Sequence, residues 1–156
     1  MSAGTDGRLA VRPFQPADRD AVVELWQACG LTVPWNDPYE DIALKLAFQP
    51  ELFFVGVIAD QVVATVMAGY EGHRGWINYL GVAPDCQRQG LGSLMMVRAE
   101  QALRELGCVK INLQVRETNQ AVIAFYEQLG FSDDHVLGMG KRLSGPKRPS
   151  TAKEQP

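Results

Sequence analysis

Between residues 8 and 143 the apolar positions change period several times, and each change marks an element. Arg8 to Phe14 sets Leu9, Val11 and Pro13 against other residues and predicts a short first strand. Pro16 and Asp18 then open a helix carrying Val22, Leu25, Trp26 and Cys29 at i, i+3, i+4 and i+7, which Gly30 ends. Asp37 as N-cap, Pro38 at the first helical position and Glu40 reaching back predict a second helix over Tyr39 to Phe48. Leu52 to Ala59 and Val62 to Tyr70 are β-branched and aromatic runs. They read as a hairpin around Asp60-Gln61, with burial on both faces.

Glu71-Gly72-His73-Arg74-Gly75 is a turn, and Trp76 to Val82 is the next strand. After it, Leu91, Leu94, Met95, Ala99, Ala102, Leu103 and Leu106 recur at helical spacing up to Gly107. Val109 to Val115 alternates as a strand. Asn119 precedes a helix with Val122, Phe125, Tyr126 and Leu129 on one face, ended by Gly130. Phe131 to Leu143 is expected to close the domain as one or two strands, turning at Asp133-Asp134.

A strand, a helix opened by a glycine turn and a further strand form a right-handed crossover, so the strands ending at Val82 and Val115 should be parallel neighbours. The remaining strands, joined by tight turns, should be antiparallel. The expected fold class is therefore α/β (α+β): a mixed, mostly antiparallel sheet with one parallel pair and helices on both faces. A ligand would bind at the carboxyl ends of that pair.

Composition adds limits. At 156 residues and 46% hydrophobic content, one domain over residues 8–143 is expected, with residues 1–7 a flexible start and residues 144–156 a disordered tail. No apolar run approaches the roughly 20 residues of a membrane span, and Met1 to Gly7 lacks the pattern of a signal peptide. A cytoplasmic protein without a membrane partner is expected. Cys29, Cys86 and Cys108 have no CxxC spacing and only two histidines beside them, so neither disulfides nor a metal site are expected. Lys147, Arg148 and Lys153 against Glu154 in the tail leave 12 basic and 17 acidic residues before it. That acidic body argues against nucleic acid and suits a cationic or amine-bearing partner.

The stretch Val82-Ala83-Pro84-Asp85-Cys86-Gln87-Arg88-Gln89-Gly90-Leu91-Gly92-Ser93 carries the chemistry. Two glycines at a strand-to-helix turn let the backbone approach a ligand, the first helical N–H groups lack internal partners, and Arg88 adds charge. This is an anion site. The third glycine of a dinucleotide fingerprint is missing, and so is the lysine of a P-loop.

The same stretch resembles the R/Q-x-x-G-x-G/A pattern of the GNAT superfamily of acetyl-CoA-dependent N-acetyltransferases, as Gln87-x-x-Gly90-x-Gly92. A second stretch, Asn119-x-x-Val122-Ile123-x-Phe125-Tyr126-x-x-x-Gly130-Phe131, is similar to the N-x-x-A-I-x-F-Y-x-x-x-G-F signature of that family. Pro34-Trp35-Asn36-Asp37-Pro38, Gly69 to Gly75 and Tyr79 to Val82 resemble the bacterial YpeA-type subgroup. The resemblance implies acetyl-CoA as acetyl donor, with its pyrophosphate on the turn of Gln87, Arg88, Gln89, Gly90, Leu91, Gly92 and Ser93. It implies a pantetheine arm between splayed strands along Leu80, Gly81 and Val82, with Asn119 touching that arm. A backbone N–H there would face the thioester oxygen, and Tyr126 would protonate the departing thiolate. Dimers are common in the family, which makes a homodimer an expectation.

The resemblance leaves the base open. Where family members carry a glutamate, this chain has Trp76-Ile77-Asn78-Tyr79 in one strand and Gln114 in the next. Glu71, His73 and Glu117 are candidate bases through water, with loss of the proton to solvent as the alternative. Trp35, Asn36, Glu71 and His73 are expected to line the acceptor pocket. The expected activity is acetyl transfer to a primary amine, of a small molecule or a protein, by direct attack in a ternary complex, with Cys86 a spacer. The alternative is a non-catalytic acyl-CoA sensor or interaction module of the same fold.

Overall fold

A computed structural model describes residues 8–145; residues 1–7 and all but the first two positions of the expected tail lie outside the described residues. Strands β1 (Ala10–Pro13), β2 (Phe53–Ile58), β3 (Gln61–Tyr70), β4 (Gly75–Val82) and β5 (Ile111–Asn112) form one sheet in that order. Each of the first four runs antiparallel to its neighbour, and β4 and β5 are parallel. Helices α1 (Arg19–Ala28) and α2 (Pro38–Leu46) follow β1, α3 (Leu91–Glu105) joins β4 to β5, and α4 (Gln120–Gln128) follows β5. The mixed sheet and its parallel pair are as the sequence predicts.

Strand alternation divides the core in two. Phe53, Val55 and Met67 turn to the face covered by Val22, Val23 and Trp26 of α1 and Ile42 of α2. Phe54, Ala64, Val66 and Ala68 turn to the other face, against Met95, Met96, Ala99 and Leu103 of α3 and Tyr126 of α4. With both faces covered, β2 and β3 are apolar on consecutive residues rather than alternate ones.

Four details differ from the sequence reading. The β2–β3 turn is Ala59-Asp60, with φ of 50° and 63°, and Gln61 already pairs with Ile58; a two-residue hairpin with both central residues left-handed matches the twist of the strands. The buried stripe of α3 is Leu91, Met95, Met96, Ala99 and Leu103, leaving Leu94 and Leu106 about half exposed at 50% and 49%. The strand expected over Val109 to Val115 is ordered against β4 only at Ile111–Asn112, because β4 departs from it. Residues 132–143 form no strand. With β5 so short there is little edge to pair with, and Val136, Leu137, Met139 and Leu143 are 78–92% exposed. Side chains tether this segment instead, Lys110 Nζ to Asp134 at 2.8 Å and Arg142 Nη1 to Asn36 Oδ1 at 2.7 Å.

Candidate active site between β4 and β5

The parallel pairing runs only through Gly75↔Ile111 and Trp76↔Asn112, with the Gly75 N–H donating to the Lys110 carbonyl at 2.9 Å. Beyond it, β4 continues to Val82 with no partner on that side among the described residues. The sheet thus opens a gap. A bulge in β4 accompanies the opening: Met67 pairs with Asn78 and Thr65 with Gly81, so Tyr79 and Leu80 together face Val66. Tyr79 holds the left-handed region at φ 53°, a conformation that costs an L-residue roughly 1–2 kcal/mol.

Three contacts hold Tyr79 there. Its ring stacks on Trp26 with centroids 3.7 Å apart, its hydroxyl donates to Asp41 Oδ2 at 2.6 Å, and its carbonyl accepts from Thr65 Oγ1 at 2.8 Å. Burial, and then the bond to Asp41, raise the Tyr79 hydroxyl far above its ordinary pKa. The convergence of these residues escaped the sequence reading. A left-handed tyrosine inside a strand leaves no local pattern, and the available signal was Thr65 itself, a hydroxyl within an otherwise apolar run.

The glycine turn opens α3 between β4 and β5. Gly90, at φ 78°, is the N-cap of α3 and brings no side chain to the first-turn N–H groups, so those of Leu91, Gly92 and Ser93 have no side-chain cap. Arg88 is also left-handed, at φ 65°. Gln87 is not aimed at the turn; its Nε2 donates to the Val82 carbonyl at 3.0 Å and ties the turn to the end of β4. Arg88, Gln89 and Gly90 are exposed. Gly92 serves packing as well, since a Cβ there would stand 3.2 Å from the Phe125 ring. Cys86 sits in a short 3₁₀ turn over Pro84–Cys86.

On α4, Asn119 is the N-cap, its Oδ1 accepting from the Val122 N–H at a long 3.4 Å. Tyr126 is 9% exposed, its ring meeting Phe125 and Phe131 edge-on with centroids at 5.0 and 5.5 Å. Among the described residues no fully buried side-chain polar atom lacks a partner. Among the described residues the Tyr126 hydroxyl has no hydrogen-bond partner, so it opens to the surface while its ring is enclosed. Burial pushes it up to about 12, and it stays protonated at neutral pH.

The acceptor candidates separate into two groups. Leu31 and Cys29, at the end of α1, lie against Gly81, with Cys29 Sγ donating to the Val82 carbonyl at 3.2 Å. The α1–α2 connection thus starts beside the end of β4 at Leu31; Asn36 lies further along it and accepts from Arg142, near the opposite end of the chain. Glu71 and His73 lie in the β3–β4 turn, at the other end of β4. Four residues of strand put Gly75 about 13 Å from Tyr79, with the paired part of β4 and β5 in between. Glu71 accepts from the backbone N–H groups of Arg74 and His73, and these bonds lower its pKa, which disfavours it as a base. Glu117 is exposed in the turn before α4, its carbonyl accepting from Gln120 Nε2 at 2.8 Å.

With this geometry in place, known proteins decide the family. Residues 19–131 match the acetyltransferase (GNAT) family. The chain belongs to the GNAT family and is an acetyltransferase. It is 44% identical over 135 residues to the acetyltransferase YE1169 of Yersinia enterocolitica and 46% identical over 136 residues to the acetyltransferase SG1711 of Sodalis glossinidius; each match covers 86% of this chain and 96% of the relative. Among solved structures, Ard1 from Thermoplasma volcanium superposes with a TM-score of 0.72 at 27% identity, covering 80% of this chain and 82% of Ard1. The ribosomal-protein-S18-alanine N-acetyltransferase of Escherichia coli superposes at 0.68 and 26%, covering 80% and 78%. GNAT acetyltransferases use acetyl-CoA. The uncapped first turn of α3 offers backbone donors suited to a diphosphate, and the gap beside it offers unpaired strand backbone to an extended chain.

Proposed function

We propose that this GNAT enzyme moves the acetyl group of acetyl-CoA directly to a primary amine, within a ternary complex of enzyme, donor and acceptor. The observation that carries the reading is the parting of β4 from β5 ahead of the uncapped start of α3, and the protonated hydroxyl of Tyr126 on α4 supports it. On this reading the amides from Arg88 to Ser93 hold the pyrophosphate, with Gln87 fixing their turn. The pantetheine arm lies along Leu80, Gly81 and Val82, and Asn119 touches it in addition to capping α4.

The neutral amine attacks the thioester carbon. A C–N bond forms, the C–S bond breaks, and its electron pair leaves on sulfur, which takes a proton from Tyr126. The amine's own proton passes to water, and Tyr126 regains a proton from water. The placement of Glu71 and His73 in the far turn supports that route over a side-chain base, and Glu117, exposed before α4, is the carboxylate left to test. The acceptor enters beside Trp35 and Asn36, where Arg142 closes the approach. We assign the chain to the YpeA-type subgroup on Pro34 to Pro38, Gly69 to Gly75 and Tyr79 to Val82.

The test is thiol release from acetyl-CoA across polyamines, lysine peptides and peptides beginning with alanine, the last suggested by the Escherichia coli relative. Expected is release of CoA with an equal amount of N-acetylated amine by mass spectrometry. Acetyl-CoA binding with no amine raising thiol release above the acceptor-free rate contradicts the reading.

A further inference from the structure

Thr65 is fully buried at 0% exposure and sits among apolar neighbours on β3. A buried hydroxyl needs partners, and Thr65 has two. It accepts from the Trp26 indole N–H at 2.9 Å and donates to the Tyr79 carbonyl at 2.8 Å. Trp26, also 0% exposed, closes the circle by stacking on the Tyr79 ring at 3.7 Å and 10°. The indole's only donor is spent on Thr65, so the hydroxyl proton is directed to the carbonyl. The orientation of the Tyr79–Leu80 peptide is thereby fixed by a side chain from another strand.

That orientation has a stereochemical consequence. Across a trans peptide the C=O and the N–H point in opposite directions, and the chain has no cis peptide bonds among the described residues. With the Tyr79 carbonyl turned to Thr65 on β3, the Leu80 N–H turns away from β3. Alternation after the bulge carries the same sense: the Ala83 N–H donates to the Val63 carbonyl on β3 at 2.7 Å, so Gly81 faces β3 and Leu80 the opposite edge, where β5 is no longer alongside.

We propose that Thr65, locked by Trp26, is a positioning residue that aims the Leu80 amide N–H into the gap between β4 and β5, where it stabilises the negative charge developing on the thioester oxygen. This rests on the reading above that the acetyl group of acetyl-CoA lies in that gap. Thr65 touches no reacting atom and acts through the peptide plane. The left-handed Tyr79 is the conformational cost of turning that plane, and the Trp26 stack with the Asp41 bond offsets it.

The experiment reads the Leu80 amide. Backbone amide resonances of the full chain are followed during titration with acetyl-CoA and, separately, with CoA, which lacks the carbonyl. In the wild type and in T65S the Leu80 proton moves downfield with acetyl-CoA relative to CoA. In T65V, which keeps the side-chain shape but removes the hydroxyl, that difference is lost while acetyl-CoA affinity stays within about threefold. Thiol release with the amine that the wild type turns over fastest falls about 10- to 100-fold in T65V and recovers in T65S. T65V leaves the Trp26 N–H without an acceptor; should it not fold, the double variant W26F/T65V removes both partners and carries the same readout. A Leu80 amide that keeps its acetyl-dependent shift in T65V, or unchanged thiol release there, overturns the role of Thr65 and leaves the cofactor site standing. No response of wild-type amides to acetyl-CoA overturns both.

Discussion

Gln87 folds back from the turn before α3 and donates to the Val82 carbonyl at 3.0 Å, so the loop that presents the helix start is tied to the strand that borders the gap. The start of α3 and the end of β4 are thereby held at a fixed separation. Gln87→Leu removes the tie without touching a ligand. It should weaken acetyl-CoA binding about 3- to 10-fold by calorimetry, equivalent to the roughly 1 kcal/mol of one hydrogen bond. Turnover at saturating donor should be unchanged.

Gly90 and Gly92 serve different ends. Gly90 stands at φ 78° with open space around it, so Gly90→Ala is strained by backbone conformation alone. At Gly92 the added Cβ would meet Phe125 at 3.2 and 3.4 Å. Each alanine should destabilise the fold by about 1 kcal/mol in denaturant unfolding. Phe125→Leu in the same chain should restore acetyl-CoA affinity to Gly92→Ala and leave Gly90→Ala unimproved.

Tyr126→Phe should lower kcat about 10- to 100-fold and leave acetyl-CoA affinity within twofold, since the ring keeps its edge contacts with Phe125 and Phe131. With the Tyr126 pKa raised to about 12, its proton is in place throughout ordinary assay conditions. A pH–rate profile in the wild type should show no fall from this group below about pH 11.

The helix starts were legible in the sequence, because caps and glycine turns are local signals: Asp37, Asn119, Gly90 and Gly92 stand where their patterns placed them. What the sequence hid is non-local. The bulge at Tyr79 and Leu80 depends on Thr65 and Trp26 from two other elements, and the Asn36–Arg142 bond spans 106 positions. The alternation at Val109 to Val115 predicted a longer strand than β5, since alternation reports which faces are apolar and says nothing of whether the neighbouring strand stays alongside.

Arg142→Ala removes the bond to Asn36, which lines the acceptor approach on the proposed reading. The KM of the acceptor should rise about 3- to 10-fold, equivalent to one charge-assisted hydrogen bond at a partly exposed position. Acetyl-CoA affinity should not move.

Asp18 supports the fold away from the site. Its carboxylate accepts from Arg12 Nη1 at 2.7 Å, Arg12 Nη2 at 3.0 Å and the Gln15 N–H at 2.8 Å, and the Arg12 bonds hold its pKa below the usual range. A depressed carboxylate contributes stability that is present above its unfolded pKa of about 3.9 and is lost as pH falls through the lower folded value. Asp18→Asn should therefore destabilise the protein at pH 7, by about 1–3 kcal/mol. Its acid unfolding curve should fall less steeply below about pH 4 than that of the wild type.

The most direct measurement is a crystal structure with CoA bound. The account predicts pyrophosphate oxygens within about 3.2 Å of amide nitrogens between Arg88 and Ser93, a pantetheine arm between β4 and the chain following β5, and sulfur within hydrogen-bond reach of the Tyr126 hydroxyl. A pyrophosphate seated elsewhere, or a sulfur remote from Tyr126, would contradict it.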